Sequence, residues 1–253
     1  MSFKNIRDEY YKCEDYFFRA ISKECLDFSG KGTAYLLGIE SPYLNPLFLR
    51  KNKDPFERVL EKSALFYEAY ACPWAVIIPE ELTTKNHCEV LNSYEFTLNE
   101  KSVSMGIDLG ASLKFENLKN FEIKSFSHNL EEWMIPLVDA FGSTQDITSQ
   151  YVETHKHALD LSAHFHHYTL FIEKCPVSSL TLSLNQKGAC LNDVATLPKF
   201  QKQGFASSLI LFALSQAQKL GAKHCFLDAS IGAVSLYQRL GFTSLFKNNI
   251  FLR

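Results

Sequence analysis

The spacing of hydrophobic positions in the first 118 residues predicts alternating helices and strands. Over residues 4–25, apolar side chains recur among charged ones at helical spacing, which is typical of an amphipathic helix. Gly30 and Gly32 break this pattern, and shorter apolar runs further along indicate buried strands. The predicted elements are helices at 4–25, 54–70 and 82–92, strands at 33–40, 73–81 and 102–109, and a loop at 41–46.

The pattern starts again near residue 118 and predicts a second domain. Two amphipathic segments follow a first strand, and three alternating segments then indicate antiparallel strands. A helix after these strands is typical of a crossover between neighbouring strands. The predicted order is β-α-α-β-β-β-α-β-α-β, with strands at 120–127, 163–174, 177–184, 189–197, 223–230 and within 242–253, and helices at 129–142, 146–161, 204–220 and 233–240. The sequence therefore predicts two domains, 1–118 and 119–253, both with mixed α and β structure.

Composition limits the class of protein. The chain has 46% hydrophobic and 21% charged residues with a formal net charge of −2, which is typical of a soluble globular protein and gives no basic field for nucleic acid. Apolar runs are too short for a membrane span. The seven cysteines are odd in number and show no C-x-x-C spacing, which favours reduced thiols and a cytoplasmic location.

The stretch NDVATLPKFQKQGFASSL (192–209) carries the clearest chemical signal. A strand ends at a proline, a short polar turn follows, and a helix opens on small residues. The first turn of a helix presents unpaired N–H groups and a partial positive charge, which together suit an anion such as a diphosphate. Gly204, Ala206 and Ser207 would leave room for it. The structural alternative is that Gly204 only lets the helix pack closely against the strand.

The wider pattern resembles the GNAT superfamily of N-acetyltransferases. QKQGFA (201–206) resembles the family's Q/R-x-x-G-x-G/A motif and follows a strand that ends in VATLP (194–198). About thirty residues later, LYQRLGF (236–242) resembles the family's L-Y-x-x-x-G-F ending. We identify residues 120–253 as similar to this family, and the whole chain as similar to its two-part members, in which the first half is a degenerate copy.

The resemblance implies a fold and a cofactor. The expected fold is α+β, with a central mixed, largely antiparallel sheet flanked by helices. Acetyl-CoA (coenzyme A) would lie where the fourth and fifth strands of this sheet separate. Ser230 replaces the family's usual asparagine, and Gln201 replaces its arginine, which we expect to weaken binding. The implied cofactor-binding residues are Val194, Ala195 and Thr196 for the pantetheine arm, Gln201, Lys202, Gln203, Gly204, Phe205, Ala206 and Ser207 for the diphosphate, and Ser230 and Tyr237.

The resemblance also implies direct attack of a substrate amine on the thioester, without an acyl-enzyme. Tyr237 takes the position of the family's general acid, although it can instead be a structural residue beside the cofactor. Asp193 is the candidate base if its side chain faces the site, and Asp228 is a weaker candidate. Cys190 and Cys225 are expected to be packing residues.

Five histidines cluster between His155 and His167, but their spacing does not favour a metal site. His155 and His157 diverge on the predicted helix, and His164 and His166 share a strand face without an acidic or cysteine ligand. Surface or core positions, or a place beside the acceptor pocket, remain open. Trp74 and Trp133 are predicted core residues.

The predicted activity is acetyl-CoA-dependent N-acetyltransfer to a small-molecule amine or an exposed amino group of a peptide. The alternative is a non-catalytic acyl-CoA-binding or regulatory module with the same fold, and a structural protein without cofactor is a third possibility. The first half is either a degenerate GNAT copy or an unrelated cap, expected to complete the acceptor pocket. VLNSYEF (90–96) occupies a place like that of LYQRLGF, a similarity that chance alone can explain. We expect a monomer or homodimer, with neither a nucleic acid nor a membrane as partner.

Overall fold

A computed structural model of the chain describes residues 3–51, 55–110, 121–185 and 188–253. The helices are α1 (Phe3–Ile21), α2 (Phe56–Glu68), α3 (Lys85–Ser93), α4 (Glu131–Ala140), α5 (Gln145–Asp160), α6 (Phe205–Lys219) and α7 (Val234–Arg239). The strands are β1 (Glu24–Asp27), β2 (Gly32–Leu36), β3 (Pro46–Leu49), β4 (Ala75–Pro79), β5 (Thr97–Asp108), β6 (Glu122–Phe126), β7 (Phe165–Ile172), β8 (Cys175–Asn185), β9 (Gly188–Thr196), β10 (His224–Ser230) and β11 (Thr243–Leu252).

The chain forms two compact units that do not follow one cut in the sequence. Unit 1 comprises Met1–Ala20, Met105–Asp228 and Ser235–Thr243, and unit 2 comprises Ile21–Ser104, Ala229–Val234 and Ser244–Arg253. In unit 1, the Tyr16 hydroxyl of α1 accepts a hydrogen bond from the His164 N–H. The predicted boundary at residues 118–119 lies outside the described residues, so the division into 1–118 and 119–253 stays a prediction.

The sheet of unit 1 confirms the predicted fold class and element order. Its strands lie in the order β10-β9-β8-β7-β6. The pairs β6–β7, β7–β8 and β8–β9 are antiparallel, whereas β9 and β10 are parallel and are connected by α6. Trp133 is fully buried against this sheet, and its indole N–H donates to the Leu180 carbonyl at 3.1 Å. The core therefore lies between the sheet and helices such as α4.

Unit 2 contains a second sheet segment, in the order β1-β2-β3-β4-β11. Its core includes Trp74, which stacks on Tyr67 at 4.9 Å between ring centroids. Both tryptophans are thus core residues, as predicted. The pair β3–β4 is parallel and is connected by α2, so unit 2 repeats the strand–helix–strand connection of unit 1.

Two predicted elements of unit 2 were wrong. The first helix ends at Ile21 rather than continuing to residue 25, and Glu24–Asp27 pairs with β2 as a strand. The predicted loop at 41–46 contains a 3₁₀ turn at Pro42–Leu44 and the start of β3. A proline is tolerated as the first residue of a strand, so Pro46 did not exclude β3. The helix start predicted at Asp54 lies outside the described residues.

The segments VLNSYEF (90–96) and LYQRLGF (236–242) have the same local backbone geometry. Each segment ends a helix with the same two backbone bonds and a residue of positive φ at its sixth position. The bonds join Glu95 N to Asn92 O and Phe96 N to Leu91 O in the first, and Gly241 N to Gln238 O and Phe242 N to Tyr237 O in the second, all at 3.0 Å. Leu91 therefore takes the position in unit 2 that Tyr237 takes in unit 1. The same two bonds and a residue of positive φ also end α2, α4, α5 and α6, so the shared turn is a general helix ending and chance still explains the similarity.

Candidate active site

The parallel strands β9 and β10 separate part-way along their length. They pair at Gly188–His224, Ala189–Cys225 and Cys190–Phe226. Beyond Cys190, the remaining six residues of β9 have no partner on β10, although β9 stays paired with β8 up to Thr196. The strands therefore leave an open edge on β9 at Leu191–Thr196. An extended ligand can add to such an edge through main-chain hydrogen bonds.

A β-bulge lies at the same place on β9. Thr181 of β8 pairs with Asn192 and Ser179 with Ala195, so Asp193 and Val194 face a single residue of β8. Asp193 has a φ of +57°, a conformation that few residues other than glycine adopt. A bulge re-aims a side chain, and here it turns Asp193 towards α5. The bulge gives the site its main irregularity.

The polar turn after β9 leads into α6 as the sequence predicted. Gly204 caps α6 with a φ of +90°, and Lys202 has a φ of +61°. In the part of the chain that the structure describes, no protein acceptor is present for the backbone N–H groups from Lys202 to Ser207. These six donors and the positive end of the helix dipole make the turn suitable for an anion.

Gln201 has a different role from its neighbours. Its backbone N–H donates to the Pro198 carbonyl at 3.3 Å, and its side-chain amide donates to the Thr196 carbonyl at 3.2 Å. Gln201 therefore ties the turn to the end of β9. Lys199 and Lys202 are exposed at the rim and supply positive charge there. Phe205, Ala206 and Ser207 form the first turn of α6.

The Asp193 carboxylate lies in a buried, polar environment. The Tyr151 hydroxyl of α5 donates to Asp193 Oδ1 at 2.8 Å, and His155 Nε2 lies 3.8 Å from Oδ2. The side chain of Asp193 is 9% exposed, and burial raises its pKa to about 6, although the neighbouring hydroxyls of Thr181 and Tyr151 act in the opposite direction. Asp193 thus titrates near neutral pH, as a general base should.

Sequence reasoning missed Tyr151 as a partner of Asp193. Tyr151 and His155 are four residues apart on α5, and this spacing places both side chains on one helix face. As predicted, the two histidines of that helix point in different directions, since His155 is fully buried and His157 is exposed. Within the described residues, no group of three His, Cys, Asp or Glu side chains is placed to hold a metal ion.

Tyr237 lies on α7 in unit 1 and is 6% exposed. Its ring packs edge-on against Phe242 at 5.8 Å. Burial and the charge of Asp228 raise its pKa well above the usual range for tyrosine. The hydroxyl therefore remains protonated at neutral and mildly alkaline pH, but the raised pKa makes it a weaker proton donor than an exposed tyrosine. Ser230 is exposed at the end of β10 and belongs to unit 2, so its part in cofactor binding stays a prediction.

Cys190 and Cys225 are buried packing residues, as predicted. Cys190 is 5% exposed and Cys225 is fully buried, and burial raises the pKa of both thiols. Only the thiolate is an effective nucleophile, so neither side chain suits covalent catalysis.

Comparison with known proteins agrees with this geometry. The model of the acetyltransferase (GNAT) family matches residues 129–242, which include the bulge, the turn before α6 and Tyr237. Residues 129–242 of this chain are therefore similar to the GNAT family. A search of curated proteins gave no significant match to the sequence.

Solved structures resemble the chain well beyond the GNAT domain. A GCN5-related N-acetyltransferase from Kribbella flavida has 15% identity and a TM-score of 0.70, over 95% of this chain and 94% of that one. One from Sphaerobacter thermophilus has 13% identity and a TM-score of 0.62, over 90% and 82%. A tandem GNAT protein of the clavulanic acid biosynthesis pathway has 7% identity and a TM-score of 0.62, over 92% and 84%. At such identities the likeness concerns the fold.

The raised pKa of Asp193 predicts that Asp193→Asn stabilises the GNAT domain above neutral pH. A carboxyl whose pKa is about 6 when folded and about 3.9 when unfolded binds its proton more tightly in the folded state. Its contribution to stability is complete below pH ~4 and is lost as the pH rises through about 6. Removing the buried charge should therefore raise the free energy of unfolding by up to about 3 kcal/mol at pH 8, and by little near pH 4.

Urea unfolding of the wild type and Asp193→Asn at pH 4 and pH 8 measures this difference. Asp139→Asn, at an exposed position of α4 in unit 1, is the control and should change neither value. An Asp193→Asn protein that is less stable than the wild type at pH 8 would show that hydrogen bonding to the ionised carboxylate outweighs the cost of its burial.

Proposed function

We propose that this protein is an acetyl-CoA-dependent N-acetyltransferase. The observation that carries the proposal is the coincidence of three features in unit 1: strands that separate after Cys190 and Phe226, six free N–H groups at the start of α6, and a protonated Tyr237. Similarity to the GNAT family supports acyl transfer in general. The acceptor class we propose is an amine, on a small molecule or an exposed amino group of a peptide.

The described residues fit coenzyme A chemically. The open edge of β9 at Val194, Ala195 and Thr196 suits the amide groups of a pantetheine arm. The N–H groups from Lys202 to Ser207 would hold the diphosphate, because they have no other partner and small side chains occupy part of that turn. When bound, acetyl-CoA would supply the acetyl group as an activated thioester.

The side chains of unit 1 would then take part in the proton transfers of the reaction. An alkyl ammonium group has a pKa near ~10.4 and must lose a proton before its nitrogen attacks. Asp193, ionised above a pH of about 6, would accept that proton. Tyr237 would donate a proton to the departing thiolate as the C–N bond forms and the C–S bond breaks. The nitrogen loses its second proton as the amide forms, and that proton would return to the Tyr237 oxygen through solvent. An amide N–H of β9 would stabilise the charge that develops on the carbonyl oxygen.

We also propose that the N-terminal part of the chain is a degenerate GNAT copy rather than an unrelated cap. The connection β3-α2-β4-α3-β5 matches β9-α6-β10-α7-β11 in element order, and the first two strands of each set are parallel neighbours, which supports a repeat. Leu91 in place of the tyrosine leaves this copy without the proposed acid. The reaction would therefore depend on unit 1.

The cytoplasm is the location we propose, since the seven cysteines are odd in number and show no C-x-x-C spacing, which favours reduced thiols. In the described residues, no helix combines the length and the apolar character needed to cross a bilayer.

Coenzyme A should raise the melting temperature, because a ligand that binds only the folded state stabilises it by mass action. At about 100 times its Kd, the ligand should add about 2.7 kcal/mol to the free energy of unfolding. Pantetheine, which lacks the diphosphate, is the matched control ligand and should give a much smaller shift.

Release of free thiol from acetyl-CoA with a panel of amines then tests catalysis. Turnover with at least one amine supports the acetyltransferase. Coenzyme A binding without thiol release for any acceptor would favour a non-catalytic acyl-CoA-binding module. The absence of any thermal shift would overturn the cofactor assignment.

A further inference from the structure

A row of buried polar side chains leads away from Asp193 into the core of unit 1. His155 Nδ1 lies 2.8 Å from His167 Nε2, while His155 Nε2 lies 3.8 Å from Asp193 Oδ2. Both imidazoles are completely buried, and the Trp133 ring lies within about 5 Å of each. Histidines that only filled space in an apolar core would not need to meet end to end. This arrangement calls for a chemical explanation.

The two rings are neutral at working pH. Burial lowers the pKa of His155 well below its usual range and that of His167 to about 3. A neutral imidazole has one N–H and one bare nitrogen, so one ring must donate and the other accept. The tautomers of His155 and His167 are therefore linked.

Only one of the two possible arrangements suits an ionised Asp193. If His167 donates from Nε2 to His155 Nδ1, then His155 carries its proton on Nε2, the atom nearest to the carboxylate. If His155 donates from Nδ1, its bare Nε2 faces a carboxylate oxygen, and two acceptors oppose each other. The first arrangement stabilises the ionised carboxylate, and the second suits a protonated one.

We propose that His155 and His167 are positioning residues for Asp193: His167 sets the tautomer of His155, and the resulting Nε2–H holds the Asp193 carboxylate ionised and oriented as the base for the acceptor amine. This inference rests on the proposed role of Asp193 in N-acetyl transfer. Within the described residues, each member of this row has one buried side-chain atom without a hydrogen bond: His155 Nε2, His167 Nδ1 and Asp193 Oδ2. Asp193 Oδ2 and His155 Nε2 are therefore each other's available partners at 3.8 Å, a distance slightly longer than a hydrogen bond.

Few other groups act on the Asp193 charge. Tyr151 faces it from α5 and Thr181 from β8. From α4 the neighbour of the row is the uncharged Trp133. Helix α6 carries no acidic or basic side chain before Lys219 at its end, and Asp228 of β10 acts on Tyr237 instead. A change in the titration of Asp193 on substitution of His155 is therefore attributable to His155.

The pH dependence of kcat/KM tests this role. In the wild type we expect an acid limb near the pKa of Asp193, about 6. His155→Leu removes the Nε2–H donor and should move that limb to higher pH by about one unit, which is about a tenfold loss of kcat/KM on the limb. KM for acetyl-CoA should not change. His155→Gln, whose amide can donate from a similar position, should return the limb most of the way to its wild-type pH.

His157→Leu is the matched control, because it removes a histidine from the exposed side of the same helix. It should leave the limb in place. If active His155→Leu protein shows the same pH dependence of kcat/KM as the wild type, the inference is overturned, while the acetyltransferase assignment stands. An equal loss in the leucine and glutamine variants at every pH would also overturn it, since it would indicate a packing role.

A measurement on the wild-type protein avoids dependence on folding of variants or on activity. The ¹⁵N chemical shifts of the imidazole nitrogens report which one carries the proton. At pH 8 we expect protons on Nε2 of both His155 and His167. The tautomers should change at the pH where Asp193 titrates, and this change should be absent in Asp193→Asn. An unprotonated His155 Nε2 at pH 8 would overturn the inference. If this linkage appears in a protein that transfers no acetyl group, the proposed function fails and the linkage of His155 to Asp193 is supported.

Discussion

Gly204→Glu is expected to weaken coenzyme A binding by about 100-fold or more, which corresponds to about 2.7 kcal/mol. The added carboxylate would reach the free N–H groups of the turn and the first turn of α6, and would oppose the diphosphate by charge and by volume. Isothermal titration with coenzyme A measures the change. The fold should survive, because Gly204 lies at an intermediate level of exposure at the start of a helix.

Part of the effect of Gly204→Glu comes from its backbone rather than its charge. A residue other than glycine at a φ of +90° costs about 1–2 kcal/mol of stability. Gly221→Glu provides the matched control at the other end of α6, where φ is +88° and a Cβ would meet no atom within 4 Å. Both variants should carry this backbone cost, but only Gly204→Glu should lose affinity. Equal affinity of Gly204→Glu and the wild type would exclude this turn as the diphosphate site.

The turn at 201–207 could be predicted from sequence because its chemistry is local. A glycine at the helix cap, small residues after it and a preceding strand all lie within about fifteen positions, so spacing alone brings them together. The order of elements from β6 to β11 was predictable for the same reason, since each helix and strand shows its own hydrophobic period. The positive φ of Lys202 was not predictable, because lysine has no preference for that conformation.

The surroundings of Asp193 could not be predicted in the same way. Its orientation depends on a bulge, and a bulge is a mismatch between two strands that neither strand reveals alone. Tyr151 lies 42 positions away along the chain. Tyr151 and His155 share a helix face by spacing, but nothing in the sequence states which strand that face covers. The sequence therefore identified Asp193 as a candidate base but did not identify its partners.

The short strands β1 and β3 show a different limit. Each has four residues, too few to establish an alternating pattern. All four residues of β3 are buried and the first of them is a proline, whereas β1 continues a run of apolar spacing that began in α1. Pairing with β2 decides both cases, because β2 lies between them in the sheet. Tertiary contacts supplied what the local pattern lacked.

The paired turns after α3 and α7 connect the fold to the chemistry. The same backbone bonds hold Leu91 in one turn and Tyr237 in the other, so the turn itself does not require a tyrosine. The phenol hydroxyl of Tyr237 is therefore unnecessary for the local fold. That hydroxyl is the part of the residue that the reaction would use, and its removal should act on catalysis alone.

Tyr237→Phe is accordingly expected to lower kcat by about 100-fold or more, within the range that a general acid contributes. The ring and its contact with Phe242 remain, so the Kd of coenzyme A should stay within about twofold of the wild-type value. Pre-steady-state release of thiol, measured with the best acceptor amine, would locate the loss in the chemical step. The defect should persist at mildly alkaline pH, because the raised pKa of Tyr237 keeps the wild-type hydroxyl protonated there.

Tyr168→Phe is the control for removing a hydroxyl from a buried tyrosine of unit 1. Tyr168 is 5% exposed on β7, and its ring packs edge-on against Phe212 at 5.1 Å. A comparable loss of kcat in both variants would assign the effect to packing. A Tyr237→Phe protein with undiminished kcat would remove Tyr237 as the acid, and since Leu91 leaves unit 2 without a replacement, water would then have to protonate the thiolate. Loss of kcat in Tyr237→Phe alone is the result that ties proton donation to this hydroxyl.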